Sequence, residues 1–149
     1  MSIIRIVTDS DASLPPALAD QYGIGVVPIN IHFDEETLRT DIDIDDAGLF
    51  RRIDEEGATP TTSAPSPGQF ADAYERAFSD GADEVLCICV SSEVSATYNA
   101  ALQARTLLPD QSITVMDSLS ISMGLGFMAL EAAKAVEAGA DVEDALAAA

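Results

Sequence analysis

Two groups of hydroxyl side chains have the residue types and spacing of a ligand-binding site. They are Thr61, Thr62 and Ser63, and further along Ser91, Ser92, Ser95 and Thr97. Each group lies shortly before a predicted helix, where unpaired backbone N–H groups and the helix dipole favour an anion. Hydroxyl groups add uncharged donors, which suit a carboxylate or phosphate oxygen. Because serine and threonine are also common helix caps, it is the convergence of two such groups that favours a binding site.

A pair of carboxylates, Asp9 and Asp11, follows the first predicted strand in an Asp-x-Asp pattern. Aspartyl phosphotransferases and metal-assisted phosphatases use one carboxylate of such a pair as nucleophile and the second as acid. These enzymes usually also need a lysine to offset phosphate charge, and the single lysine, Lys134, lies in a predicted amphipathic helix. We therefore favour a structural role for Asp9, capping the first helix or orienting loop hydroxyls, and keep phosphotransfer as the alternative.

Three further patterns favour structural roles. The segment Gly124–Ala129 matches Gly-x-Gly-x-x-Ala, but about six residues separate it from the preceding strand and no later strand follows. Small residues for close helix packing or for a ligand tail are the preferred interpretation. Cys87 and Cys89 lie two apart on a predicted strand, which favours buried reduced thiols, with a redox-sensitive pair as the alternative. His32 lies mid-strand and is predicted to be a satisfied or surface histidine, and no metal site or cofactor is predicted.

Short apolar runs alternate with capped amphipathic segments along the chain. The runs predict strands at Ile3–Val7, Gly25–Phe33, Glu84–Val90 and Ile113–Met116. Helices are expected between them, the first one capped by Ser13, and the hydroxyl- and proline-rich stretch 58–68 is predicted to be a loop. This alternation predicts a three-layer α/β domain, with a mostly parallel sheet flanked by helices.

Polar residues end three of these strands and are expected to share one edge of the sheet. They are Thr8-Asp9-Ser10, Ser91-Ser92 and Asp117-Ser118. In sheets of this class, ligands bind outside the carboxyl ends of the strands. The sequence therefore predicts a site at that edge.

The composition limits the classes of partner. With 149 residues, of which 48% are apolar, the chain can bury a core and is expected to form one domain. Its formal net charge of −19 would repel a phosphate backbone, which excludes nucleic acids and anionic membrane surfaces as partners. No apolar run reaches the roughly 18 residues that a membrane span needs, and the N-terminus lacks a signal-peptide pattern. A cytoplasmic location is expected.

Five motifs, in order along nearly the whole chain, carry a resemblance to a known family. They are Ile6-Val7-Thr8-Asp9-Ser10 with Leu14-Pro15, Val26-Val27-Pro28-Ile29, Thr62-Ser63-Ala64-Pro65-Ser66, the segment 91–101, and Asp117-Ser118 with Gly124 and Gly126. In these motifs the chain resembles the N-terminal domain of the DegV family of fatty-acid-binding proteins. Those proteins are similar to the lipid-delivering subunit of bacterial fatty-acid kinase.

The resemblance implies the fold, a function and a set of site residues. It implies a protein that is not itself the catalyst, holds a long-chain fatty acid between two domains and presents it to a separate ATP-dependent kinase, which makes an acyl phosphate. The residues implied to bind the carboxyl group are Thr62, Ser63, Ser91, Ser92 and Ser95. Those implied to lie beside the site are Thr8, Asp9, Ser10, Thr97 and Ser118. Charge-assisted hydrogen bonds are worth about 1.5–3 kcal/mol each, so two or three hydroxyls could anchor a carboxylate without any lysine.

The chain departs from the family pattern in two motifs and in length. The usual Ser-Gly-Thr-Tyr is Ser95-Ala96-Thr97-Tyr98 here, and the usual Thr-Ser-Gln-Pro-Ser has Ala64 at its third position. The methyl group of Ala96 restricts the backbone where a head group could approach closely. Residues 1–149 correspond to the N-terminal domain only, which offers one wall of a tail channel, so we expect weak fatty-acid binding and self-association. A degenerate protein-association domain is the second alternative function.

Overall fold

Four parallel strands form the main sheet and carry the site at one edge. The computed structural model describes residues 2–149. Its strands are β1 (Ile4–Asp9), β2 (Gly25–Val27), β3 (Asn30–Phe33), β4 (Glu36–Arg39), β5 (Thr61–Ser63), β6 (Glu84–Cys89) and β7 (Ser112–Asp117). Its helices are α1 (Pro16–Gln21), α2 (Asp46–Glu56), α3 (Pro67–Ser79), α4 (Thr97–Leu107), α5 (Ser122–Glu137) and α6 (Val142–Ala148), with a short 3-10 helix at Ser10–Ala12. The sheet order is β2-β1-β6-β7, with every pair parallel, which confirms the predicted fold class.

The two faces of the main sheet bury separate apolar clusters. Side chains alternate between faces along a strand, so Ile6 of β1 faces one way and Val7 the other. The Ile6 face packs against α1, α5 and α6, around the buried Leu125. The Val7 face packs against α3 and α4, around the buried Phe70 and Tyr74. Helices on both faces make the domain three layers deep, as predicted.

A second, antiparallel sheet corrects two expectations from the sequence. The predicted strand Gly25–Phe33 is divided at Pro28, which has no N–H to donate to a ladder. Its first part, β2, is an edge strand of the parallel sheet. Its second part, β3, is the central strand of a small sheet of order β4-β3-β5. The stretch predicted as a loop supplies β5, which pairs Thr62 with Ile31. The small sheet therefore carries Thr61, Thr62 and Ser63, the first of the two sets of hydroxyl residues.

The helix ends show which capping predictions hold. Ser66 forms the predicted capping box with Gln69, and Asp45 and Asp141 accept hydrogen bonds at the starts of α2 and α6. The prediction that Ser13 caps α1 is wrong. Ser13 ends the 3-10 helix in a left-handed conformation, and α1 begins behind Pro15 without a side-chain cap. Within residues 2–149, no helix combines the length and apolar character needed to cross a membrane.

Candidate functional site

A cavity of about 560 Å³ lies at the carboxyl ends of the parallel strands, facing the small sheet. Six of its lining residues carry hydroxyl groups: Ser10, Ser13, Thr62, Ser63, Ser95 and Ser122. Its apolar lining comes from Ile29, Ala64, Val90, Val94, Ala96 and Ile121. The hydroxyl groups thus come from the end of β1, from β5, and from the loops before α4 and α5.

Of the five residues implied to bind the carboxyl group, Thr62, Ser63 and Ser95 line this cavity, and Ser91 and Ser92 do not. Ser91 is buried, and its Oγ accepts a hydrogen bond from the backbone N–H of Glu93 at 3.2 Å. The Ser92 backbone N–H donates to the Asp117 carboxylate at 3.1 Å. In this arrangement both serines shape the turn between β6 and α4 and contribute no wall of the cavity.

Of the five residues implied to lie beside the site, Ser10 lines the cavity and the other four do not. The Ser10 Oγ accepts the backbone N–H of Ile29 at 2.9 Å. Thr97 is fully buried with its Oγ1 2.8 Å from Ser95 Oγ, so it fixes one of the lining hydroxyls. Thr8 is buried and donates to the Ile88 carbonyl, and Ser118 Oγ donates to the Ser120 carbonyl.

Asp9 connects the ends of two neighbouring strands. It is fully buried; one carboxylate oxygen accepts the N–H of Asp11 at 3.0 Å and the other accepts the N–H of Val90 at 2.9 Å. Burial raises the pKa of this carboxyl group to about 7, although the bond from Val90 lowers it. Asp9 also caps the 3-10 helix at Ser10–Ala12, whereas the sequence predicted a cap of the following helix.

Three residues beside the cavity adopt left-handed backbone conformations that non-glycine residues seldom take. They are Ser13, Leu119 and Ser122, with φ values of 49°, 52° and 52°. Ser122 Oγ donates to Ser13 Oγ at 3.3 Å, which joins the loop after β1 to the start of α5. Each such conformation costs about 1–3 kcal/mol, so the surrounding structure holds this edge in a specific shape. Sequence reasoning missed Ser13 and Ser122, although both follow polar strand ends.

The charge of the cavity is unusual for an anion site. Asp11 is the one charged residue among its lining residues in the described chain, and burial raises the pKa of its carboxyl group. No arginine, lysine or histidine lines the cavity within residues 2–149. A bound carboxylate would therefore be held by hydroxyl and backbone donors, which can still form charge-assisted hydrogen bonds.

The other patterns noted in the sequence have structural explanations. A Cβ atom at Gly126 would lie 2.6 Å from the Ala12 carbonyl oxygen, which confirms close packing of α5 against the 3-10 helix. Cys87 and Cys89 are buried free thiols with their Sγ atoms 3.6 Å apart, as predicted. Within residues 2–149, no three metal-ligating side chains are grouped to hold an ion.

A larger cavity of about 630 Å³ lies between β4 and α2, away from the strand ends. The Arg52 guanidinium in its lining forms ion pairs with Glu36 and Glu56 and stacks on the Phe33 ring at 3.9 Å. We favour the smaller cavity as the site because its polar groups converge at the carboxyl ends of parallel strands.

Comparison with known proteins agrees with this fold. A sequence model described as "Uncharacterised protein, DegV family" matches residues 3–149. The chain belongs to the DegV family. It is 35% identical over 144 residues to a DegV domain-containing protein of Clostridium perfringens and 37% identical over 142 residues to one of Halalkalibacterium halodurans. These alignments cover 97% and 95% of this chain but 51% and 50% of those proteins, so the chain spans about half their length.

Solved structures of DegV proteins superpose closely on this chain. A DegV family protein from Thermus thermophilus, described by its fatty-acid binding, matches with a TM-score of 0.86 and 36% identity. Bacillus subtilis DegV, described as a fatty-acid-binding protein, matches with a TM-score of 0.92 and 30% identity. Both alignments cover 99% of this chain, and 51% and 52% of those structures.

Proposed function

We propose that this DegV chain binds a long-chain fatty acid, with the carboxyl group in the hydroxyl-lined cavity at the strand ends. The observation that carries the proposal is the convergence on one cavity of Thr62 and Ser63, from β5, with Ser95, from the loop before α4. Relatives of the same fold are described as fatty-acid-binding proteins, which supports this choice of ligand over other anions.

Hydrogen bonds from the cavity hydroxyls and burial of the acyl tail would both contribute to the binding free energy. Two or three charge-assisted hydrogen bonds from these hydroxyls would contribute about 1.5–3 kcal/mol each. An acyl tail adds about 0.8 kcal/mol per buried methylene, and the apolar Ile29, Val94 and Ile121 offer it a path out of the cavity. Val94 and Ile121 are 67% and 58% exposed, so this chain covers only part of a tail. We expect weak binding by the 149-residue chain alone.

The same proposal assigns a non-catalytic role and a partner. A bound carboxyl group would be presented to a separate ATP-dependent fatty-acid kinase, which would form the acyl phosphate. The buried Asp9, whose oxygens both accept backbone hydrogen bonds, supports a delivery role over phosphotransfer by this chain. We propose that Ser91 and Ser92 act indirectly, by holding the turn that places Ser95.

The test is a calorimetric titration of the chain with oleate and with oleyl alcohol, both below their aggregation limits. Thr62→Val with Ser95→Ala removes two lining hydroxyls. Loss of two charge-assisted bonds, about 3–6 kcal/mol, should abolish measurable oleate binding and change alcohol binding less. Thr106→Val is the matched control, because Thr106 lies on α4 and donates only to the Gln103 carbonyl.

Two outcomes would contradict the proposal. One is oleate affinity that survives the double substitution. The other is an equal loss of oleate and alcohol binding, which would indicate a collapsed pocket and not a lost head-group contact. The partner is tested separately, by adding a fatty-acid kinase catalytic subunit with ATP and trapping acyl phosphate with hydroxylamine. Acyl phosphate should form only when chain, kinase and fatty acid are all present.

A further inference from the structure

The single histidine of the chain is connected to the cavity through one of its lining hydroxyls. His32 lies on β3 with Nε2 2.8 Å from Ser63 Oγ and Nδ1 2.9 Å from Thr37 Oγ1. Ser63 lines the cavity, whereas His32 does not. The histidine therefore stands directly behind a hydroxyl that we propose binds the carboxylate.

The protonation state of the ring determines what Ser63 can offer a ligand. A neutral imidazole donates through one nitrogen and accepts through the other, and both partners here are hydroxyls that can do either. If Nε2 accepts, the Ser63 hydrogen is spent on the ring and its lone pairs are left for the cavity. If Nε2 carries a proton, it donates to Ser63 Oγ, and the Ser63 hydrogen is free to donate to a carboxylate. A protonated imidazolium donates through both nitrogens and so permits only the second arrangement.

We propose that His32 is a positioning residue that orients the Ser63 hydroxyl, so that binding of a carboxylate is coupled to uptake of a proton by His32. This inference rests on the proposed function, because it concerns the same head-group site. Protonation also places a positive charge behind a cavity that has no lining cation in residues 2–149, which favours an anion further. Histidine is the side-chain type whose charge ordinarily changes between pH 5 and 8, which is the range in which such a coupling is sought.

The charged side chains on the strands beside His32 are held in ion pairs with other residues. On β4, Thr37 lies opposite, and Arg39 is held in an ion pair with Asp43. Glu36 of β4 lies opposite Phe33 and is ion-paired with Arg52. On β5, Thr61 and Ser63 are uncharged.

Across the cavity, two carboxyl groups also respond to pH. They belong to Asp11, which lines the cavity, and to Asp9 behind it. Burial raises the pKa of both groups. Their protonation would also favour a bound anion, so the experiment must separate them from His32.

The experiment measures decanoate affinity between pH 6 and pH 8, a range in which a free carboxylic acid with a pKa near 4.3 stays ionised. Wild type is compared with His32→Gln, Ser63→Ala and the double variant, after each is shown to be folded by its melting profile. The expected wild-type affinity is about tenfold higher at pH 6 than in His32→Gln at the same pH. Tenfold corresponds to about 1.4 kcal/mol, near the lower limit for a hydrogen bond to a charged group.

The double variant distinguishes positioning from a local packing defect. If His32 acts mainly through Ser63, His32→Gln should cause a clearly smaller loss of affinity in the Ser63→Ala background than in wild type, because the shared hydrogen bond is already gone and only the attraction between the ring's charge and the anion remains. Asp11→Asn should keep the histidine-dependent part of the pH profile. Equal losses from His32→Gln with and without Ser63 would overturn the inference.

Proton NMR gives the direct readout, since the chain has one histidine and therefore one Hε1 resonance. The midpoint of its pH titration should move to higher pH when decanoate is bound. Saturable decanoate binding with an unmoved midpoint would refute the role of His32 alone. Absence of decanoate binding at every pH would refute the proposed function and the inference with it.

Discussion

Replacing Asp9 with asparagine tests the buried carboxyl group that connects β1 to β6. Burial raises its pKa from 3.8 to about 7. Between these values the folded chain keeps a proton that the unfolded chain has released. The stability that this group contributes is therefore fully present below 3.8 and is lost as the pH rises through about 7. At about 1.36 kcal/mol per pKa unit, Asp9 should reduce the free energy of unfolding by about 3 kcal/mol between pH 5 and pH 8.

Asp9→Asn removes this titration but presents an amide NH₂ to one of two backbone N–H donors. The lost bond should cost about 1–3 kcal/mol at every pH. The variant should therefore have a lower free energy of unfolding than wild type at pH 5. At pH 8 the difference between variant and wild type should have moved by about 3 kcal/mol in favour of the variant, because only wild type loses stability as the pH rises.

Urea unfolding at both pH values, in 0.5 M salt to screen the acidic surface, measures this difference directly. Asp117→Asn is the control that should not respond: burial raises the pKa of Asp117, but hydrogen bonds from Ser92 and Leu119 outweigh burial and lower it below 3.8, so its contribution to stability should stay constant between pH 5 and pH 8. A difference in unfolding free energy between wild type and Asp9→Asn that stays constant from pH 5 to pH 8 would show that the Asp9 carboxyl group does not titrate in this range.

Two further predictions concern packing and association. Gly126→Ala should destabilise the fold by about 1–2 kcal/mol in thermal unfolding, because overpacking against the Ala12 carbonyl exceeds the gain of about 1 kcal/mol in helix propensity. Gly124→Ala, whose new methyl group would meet only the rotatable Ser120 hydroxyl, should be close to neutral, and equal losses at both glycines would contradict the packing argument. Self-association should increase with salt in light scattering, because the −19 charge is screened to about 3 Å at 1 M while Val94 and Ile121 stay exposed. A monomer at every salt concentration would contradict it.

The parallel sheet could be predicted from sequence because its signals are local. Apolar runs such as Val85–Val90 and the cap at Ser66 mark strands and helix starts without reference to distant residues. The polar strand ends then predict a shared edge, where the cavity lies. The small antiparallel sheet could not be predicted in this way. Its strands are three or four residues long, and the chain enters it after Pro28, in the middle of what the sequence predicted as one strand.

The candidate site was predictable as a region and less so residue by residue. Thr62 and Ser95 reach the cavity, but Ser91 and Ser92 bond within their own turn, and side-chain direction in an irregular turn is not encoded by residue spacing. Ser13 and Ser122 were missed because they enter the lining through left-handed conformations, which depend on tertiary packing.

Whether the head group lies in the hydroxyl-lined cavity is measured most directly by ¹³C NMR of oleate labelled at its carboxyl carbon. We expect a bound carboxyl resonance that is distinct from that of free oleate and unchanged by Thr106→Val. With Thr62→Val, which removes a lining hydroxyl, that resonance should shift or disappear. A bound resonance of unchanged shift and intensity in both Thr62→Val and Ser95→Ala would show that the head group is bound elsewhere.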